Sequence, residues 1–257
     1  ALTDGEDILY GVLSTGQNTQ DWGTIAPSTG DFSSITEISP TGLGWPLGDI
    51  GSEPDPINGY VFTRQTNSIT SETDILAIKK SDGSTRWLGI GNDHLVIGYD
   101  TKNNKLILNN PTESNSNRVI SYDIENGTSS VIVDSFSQGN NNWQAGGIGA
   151  VDSYGRVAFQ LRPDTSSTLY KINLDSGTVS TVTIDDYIVT IAWDSENQKL
   201  YGLYDTNENG AYRVAEINTE DGSITNIGDE DTVGGMSNYV HIIAPNDQRY
   251  YVQQGEN

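Results

Sequence analysis

One turn recurs five times along the chain and constrains its fold more than any other feature. Ser28-Thr29-Gly30, Ser81-Asp82-Gly83, Glu125-Asn126-Gly127, Asp175-Ser176-Gly177 and Glu220-Asp221-Gly222 each join two short runs of alternating apolar and polar residues. The closing glycines stand 53, 44, 50 and 45 residues apart. Glycine takes positive φ without a Cβ penalty, which tight hairpin turns require. A repeat of this length, built of strands and turns, predicts an all-β chain folded as a β-propeller.

Each repeat resolves into four strands, A to D from the channel outward. The fullest runs through Val189–Trp193, Leu200–Tyr204, Tyr212–Ile217 and Ser223–Ile227. The same order is readable from Leu95 to Asp134 and from Ile148 to Ile184, and in weaker form from Leu47 to Gly91, where Pro54 and Pro56 thin the first strand. The N-terminus offers a B strand at Leu9–Val12 with C and D strands after it but no A strand before. The C-terminus offers an A strand at Val240–Ala244 and a B strand at Arg249–Val252. Five blades of four antiparallel strands, closed by joining the N- and C-terminal strands, account for all but one of these. Six blades are the alternative, and would lack strands and leave unpaired edges.

The 257 residues read as a single propeller domain, 1–257, expected to be monomeric. With no Cys, disulfides, thiolate metal sites and cysteine nucleophiles are excluded. The 35 acidic against 13 basic residues give a formal charge of −22, a surface that repels phosphate backbones and anionic lipid heads. Nucleic-acid binding and membrane insertion are therefore not expected, and no run approaches the roughly 20 apolar residues of a membrane span. The acids are dispersed, as on a solvated surface, and would suit high salt or the collection of divalent cations. Beginning at Ala1 without Met, and rich in Ser, Thr, Asn and Gly, the chain is expected to be extracellular or on a cell surface.

In a propeller, the loops leading into the A strands form one rim with the B–C loops. Five D–A connections are readable here, and they carry Trp45, His94, Trp143, Tyr187 and Tyr239. Rings set beside amides and carboxylates suit sugars, with flat faces for stacking and planar polar groups for hydroxyls. The competing reading is that Trp45, Trp143 and Tyr239 plug the channel mouth.

Asp205-Thr206-Asn207-Glu208-Asn209-Gly210, followed by Glu216, fits the spacing of a calcium loop. Asp205, Asn207, Asn209 and Glu216 are thus candidate Ca2+ ligands, although the flanks are strands and any B–C turn favours Asn, Asp and Gly. For catalysis, His94 and His241 are the available imidazoles, and Asp93, Asp185 and Asp186 could supply a carboxylate pair for glycoside hydrolysis. Asn126-Gly127-Thr128 is the one N-x-[ST] sequon, and it sits in a repeat turn.

Leu200-Tyr201-Gly202-Leu203, Leu169-Tyr170-Lys171-Ile172-Asn173 and Ser176-Gly177-Thr178-Val179-Ser180-Thr181-Val182 resemble the blade repeats of secreted and cell-surface microbial β-propellers. The likeness covers almost the whole chain and implies a fold, not an activity. Five-bladed propellers include tachylectin-like lectins and arabinanase-like glycoside hydrolases, and no catalytic residue is carried over from either. The expected function is non-catalytic binding of a glycan or cell-surface protein. The alternatives are a glycoside hydrolase or lyase with channel carboxylates, and a structural module of a larger surface protein.

Overall fold

The computed structural model describes residues 9–14, 20–26, 31–38, 53–55, 58–66, 70, 72–91, 94–112, 116–137, 149–162, 167–184, 186–205, 211–227, 233–234, 241–244 and 249–252. These form an all-β propeller, the architecture that the turn repeat predicts. Four sheets carry the full A–B–C–D order, every neighbouring pair antiparallel. They are β4–β7 (Glu53–Asp55, Tyr60–Thr66, Thr73–Lys79, Thr85–Trp87) and β8–β11 (Leu95–Asp100, Lys105–Thr112, Ser116–Asp123, Thr128–Ser137). The others are β12–β15 (Gly149–Asp152, Val157–Arg162, Ser167–Asn173, Val179–Ile184) and β16–β19 (Ile188–Asp194, Lys199–Asp205, Ala211–Ile217, Ile224–Asn226). In the last sheet the short β20 (Val233–Gly234) also pairs with β18.

The ends are partial, as the strand count requires. A three-stranded N-terminal sheet comprises β1 (Leu9–Ser14), β2 (Gln20–Ile25) and β3 (Phe32–Ile38), which occupy B, C and D positions. At the C-terminus β21 (His241–Ala244) pairs with β22 (Arg249–Val252), and β21 lies beside β16 in the A-strand series. Strand A of the second sheet is only three residues long, and Pro54 sits in its middle.

Each seam between neighbouring sheets is a separate apolar cluster, since both faces of every middle strand are covered. Trp22 and Ile38 meet Val61, Leu76 and Ile78 in the first seam. Phe62, Ile75 and Ala77 meet Val96, Leu106, Leu108 and Ile120 in the second. Ile97, Ile107 and Val119 meet Ala158 and Ile172 in the third, and Phe159, Leu161 and Leu169 meet Ile188, Ile191 and Leu200 in the fourth. An aromatic pair crosses each of the last three: Phe62–Tyr99, Phe136–Tyr170 and Phe159–Trp193, with centroids 6.0, 5.7 and 5.3 Å apart. That spacing lies in the favourable range for ring pairs.

The recurring glycine turns close the C–D hairpins. Gly83, Gly127, Gly177 and Gly222 all have positive φ, and each N–H donates to the carbonyl four residues back; Gly30 lies outside the described residues. Space is a second reason for glycine. A Cβ on Gly83, Gly177 or Gly222 would collide with Thr36, with the Ile132 carbonyl or with the Thr183 carbonyl of the preceding sheet. The turns at Gly83, Gly177 and Gly222 therefore seat their blades against the preceding one.

A second repeated turn, at the same end of the blades, joins strands A and B. Asp100, Asp152 and Asp194 each accept from backbone N–H groups two and three residues on, an Asx turn. Four residues after each Asp stands a left-handed residue that is not glycine: Asn104, Arg156 and Gln198, with φ of 57, 60 and 55°.

Candidate binding rim

With both turn sets at one end, the opposite end is the rim formed by the D–A and B–C connections. Among the rim rings expected to bind, Trp45, Trp143 and Tyr239 lie outside the described residues, as do Asp93 and Asp185. His94 and Tyr187 are described and have different surroundings. Tyr187 directly precedes β16 and is 38 % exposed. Its neighbourhood is fixed by Ser167, whose Oγ accepts the Ile188 N–H at 2.7 Å and whose N–H donates to the Asp186 carbonyl at 3.4 Å.

His94 is buried at the start of β8. Asn110 Nδ2 lies 2.9 Å from its Nε2, and Nδ1 lies 3.4 Å from the Gly91 carbonyl. Both ring nitrogens thus have polar neighbours, and His94 anchors the connection that leads into β8.

Beneath the rim the inner and middle strands carry buried polar side chains that sequence reasoning passed over. Thr63, Asn109, Asn117, Gln160, Ser167 and Thr190 are all buried. Asn109-Asn110 reads as a turn by composition, yet it lies inside β9. The signal that could have revealed it is position, directly after the Leu106–Leu108 core run.

The acids are placed differently. Asp100, Asp123, Asp152, Asp194 and Asp221 all accept hydrogen bonds within turns at the far end. Among the described residues no three His, Asp or Glu side chains converge as a metal cluster. Of the candidate calcium ligands, Asn207 and Asn209 lie outside the described residues. Asp205 ends β17 and pairs with Tyr212 at the rim end. Glu216 is four residues further along β18, about 13 Å at the usual strand rise, and pairs with Tyr201. Its carboxylate accepts from Lys199 Nζ at 2.7 Å. Asn126 of the sequon is exposed, and its Nδ2 donates to Asp123 Oδ2 at 3.0 Å.

Sheets radiating from adjacent A strands, with loops collected on one rim, define the class as a β-propeller. No family model matches the chain, and no curated protein matches it in sequence. Solved structures do match in shape. TolB from Acinetobacter baumannii aligns with a TM-score of 0.57 at 18 % identity over 85 % of this chain, which spans only 50 % of that protein. A chain of the nidogen/laminin complex aligns at 0.53 and 14 % identity, covering 84 % of this chain and 78 % of its own. Oligogalacturonate lyase from Vibrio parahaemolyticus aligns at 0.50 and 13 % identity, covering 96 and 83 %. Identities this low carry the fold alone. Among the described residues no helix is long and apolar enough to cross a membrane.

Proposed function

We propose that this chain is a non-catalytic, extracellular or cell-surface binding domain whose rim recognises a glycan or a protein. The observation that supports it most is the mixed chemistry of the rim. There the exposed Tyr187 stands beside Asp186, and the Asn110 amide lies against His94. Rings set beside amides, hydroxyls and carboxylates suit a polar ligand such as a sugar. A matched chain belonging to the nidogen/laminin complex also places a propeller of this shape in a protein–protein assembly. Trp45, His94, Trp143, Tyr187 and Tyr239 remain the proposed rim residues, with His94 as an anchor of the loop rather than a stacking surface.

Glycan-array binding of the intact protein tests the reading, with Tyr187→Ala and Trp143→Ala as variants. Each should stay folded and weaken binding severalfold, since a stacked ring contributes on the order of 0.5–1.5 kcal/mol beyond burial. Full binding by both folded variants would place the functional face elsewhere. Unfolding of Trp143→Ala would make that ring a channel plug.

The second reading is a glycoside hydrolase or lyase. It draws on Asp186, beside Tyr187, and on the oligogalacturonate lyase among the similar shapes. Release of products from pectic or neutral polysaccharides by wild type, and its loss in Asp186→Asn, would favour catalysis over binding alone.

A further inference from the structure

Asn109 and Asn117 are fully buried, on adjacent strands β9 and β10. Strand alternation puts both on the face that carries Ile107 and Val119 into the seam with the next sheet. Asn109 Nδ2 donates to Asn117 Oδ1 at 3.2 Å. That bond uses one donor and one acceptor. Asn109 Oδ1 and Asn117 Nδ2 are left buried, with no hydrogen-bond partner among the described residues. Turning both amides over would only exchange which oxygen and which NH2 remain unmatched. From the facing sheet Gln160, also fully buried, lies two residues beyond Ala158 on the same seam.

The next seam shows how the fold closes the same place with protein groups alone. Aligned on the A–B and C–D turns, Asn109 and Asn117 correspond to Leu161 and Ser167. Leu161 is apolar, and Ser167 Oγ is satisfied by the Ile188 N–H. The third seam instead leaves the Asn109 Oδ1 acceptor and the Asn117 Nδ2 donor of a bonded amide pair unmatched, and buried amides of this kind are normally satisfied. We infer that a single internal water is bound there, donating to Asn109 Oδ1 and accepting from Asn117 Nδ2. Water is the smallest molecule that does both, and buried waters commonly bridge polar groups in this way. The site is a hydrated joint between two blades, one residue from the Asn110 amide that holds His94.

A crystal structure at about 1.5 Å or better should show isolated density within about 2.7–3.2 Å of both atoms. Protein backbone or side-chain density in that place, or two amides rotated apart with nothing between them, would overturn the inference. In solution, the double variant Asn109→Leu, Asn117→Ser copies the neighbouring seam. The amplitude of water magnetic relaxation dispersion should fall by one long-lived molecule relative to wild type. Equal amplitudes in wild type and a folded variant would also overturn it. Should the variant not fold, the wild-type crystal structure decides the question alone.

Discussion

Arg156 Nη1 donates to Asp100 Oδ2 at 2.6 Å across the seam between the β8–β11 and β12–β15 sheets, and both side chains are largely buried. The guanidinium also reaches Asp175 through Nε at 3.0 Å, so one residue ties an A–B turn of one blade to two turns of the next. Arg156 holds this position at φ 60°, in the left-handed region.

Removing the guanidinium strands a buried carboxylate. Arg156→Ala should therefore destabilise by on the order of 3–5 kcal/mol. Arg156→Gly loses the same ion pairs but relieves the backbone, and should be less damaging by roughly 1 kcal/mol. Urea unfolding of the three proteins measures both quantities. Equal stability of Ala and Gly variants would mean the left-handed turn carries no strain.

Two glycines separate conformational cost from crowding. Gly89 has φ 70° with open space where a Cβ would go, whereas at Gly222 a Cβ would strike the Thr183 carbonyl. Gly89→Ala should cost roughly 1 kcal/mol. Gly222→Ala should cost clearly more, because the neighbouring blade must also move. Matching denaturation midpoints would show that the outer turns do not seat the blades.

The strand order was legible because alternation and Gly turns are local signals. Strands at Val189–Trp193, Leu200–Tyr204 and Tyr212–Ile217 all appear within a residue or two of their expected limits. The A–B turn was only partly legible, because Asn104, Arg156 and Gln198 adopt the left-handed conformation without glycine to announce it. What holds them is a local Asx carboxylate four residues before each, and for Arg156 also a tertiary ion pair with a residue 56 positions earlier. At the rim, composition identified exposed Tyr187 but gave no hint that His94 is enclosed by Asn110 and Gly91. The calcium pattern is legible in sequence spacing, but its loop, 206–210, lies outside the described residues.

Calcium binding by the 205–210 segment can still be tested without Glu216. Calcium should raise the melting temperature of wild type and of Glu216→Gln alike, and Asp205→Ala should abolish the rise. At a hundredfold excess over Kd the stabilisation is about 2.7 kcal/mol. An undiminished response in Asp205→Ala would assign the effect to screening of the acidic surface.

Acid should act through the turns. Hydrogen bonds from Lys105, then from the backbone and side chain of Asn126, hold the Asp123 carboxyl far below its ordinary value. Ser84 and Ser223 lower Asp82 and Asp221 in the same way, first through their side chains. A carboxyl lowered by folding gives stability that is whole above about pH 4 and is lost as pH falls through the folded-state value. Asp123→Asn should therefore flatten the fall in stability below pH ~4. Parallel curves for mutant and wild type, from urea midpoints at several pH values, would remove Asp123 from this account.

The strand count expects the C-terminal strands to complete the N-terminal blade, a role that would make them structural. Deleting residues 238–257 removes β21 and β22 and exposes the edge beside β16. The truncated chain should melt at a lower temperature or fail to fold. Melting like the full chain would rule out closure of the ring by these strands.

The pinned turn carboxylates also separate two failures that acid usually brings together. The isoelectric point implied by composition is about 4.1. As the pH drops toward it the net charge falls to zero, while the hydrogen bonds that lower Asp82, Asp123 and Asp221 keep their hairpins tied. Mutual repulsion between molecules thus vanishes before the fold weakens. Mild acid should curdle this protein in its native shape, and the precipitate should redissolve intact on neutralisation.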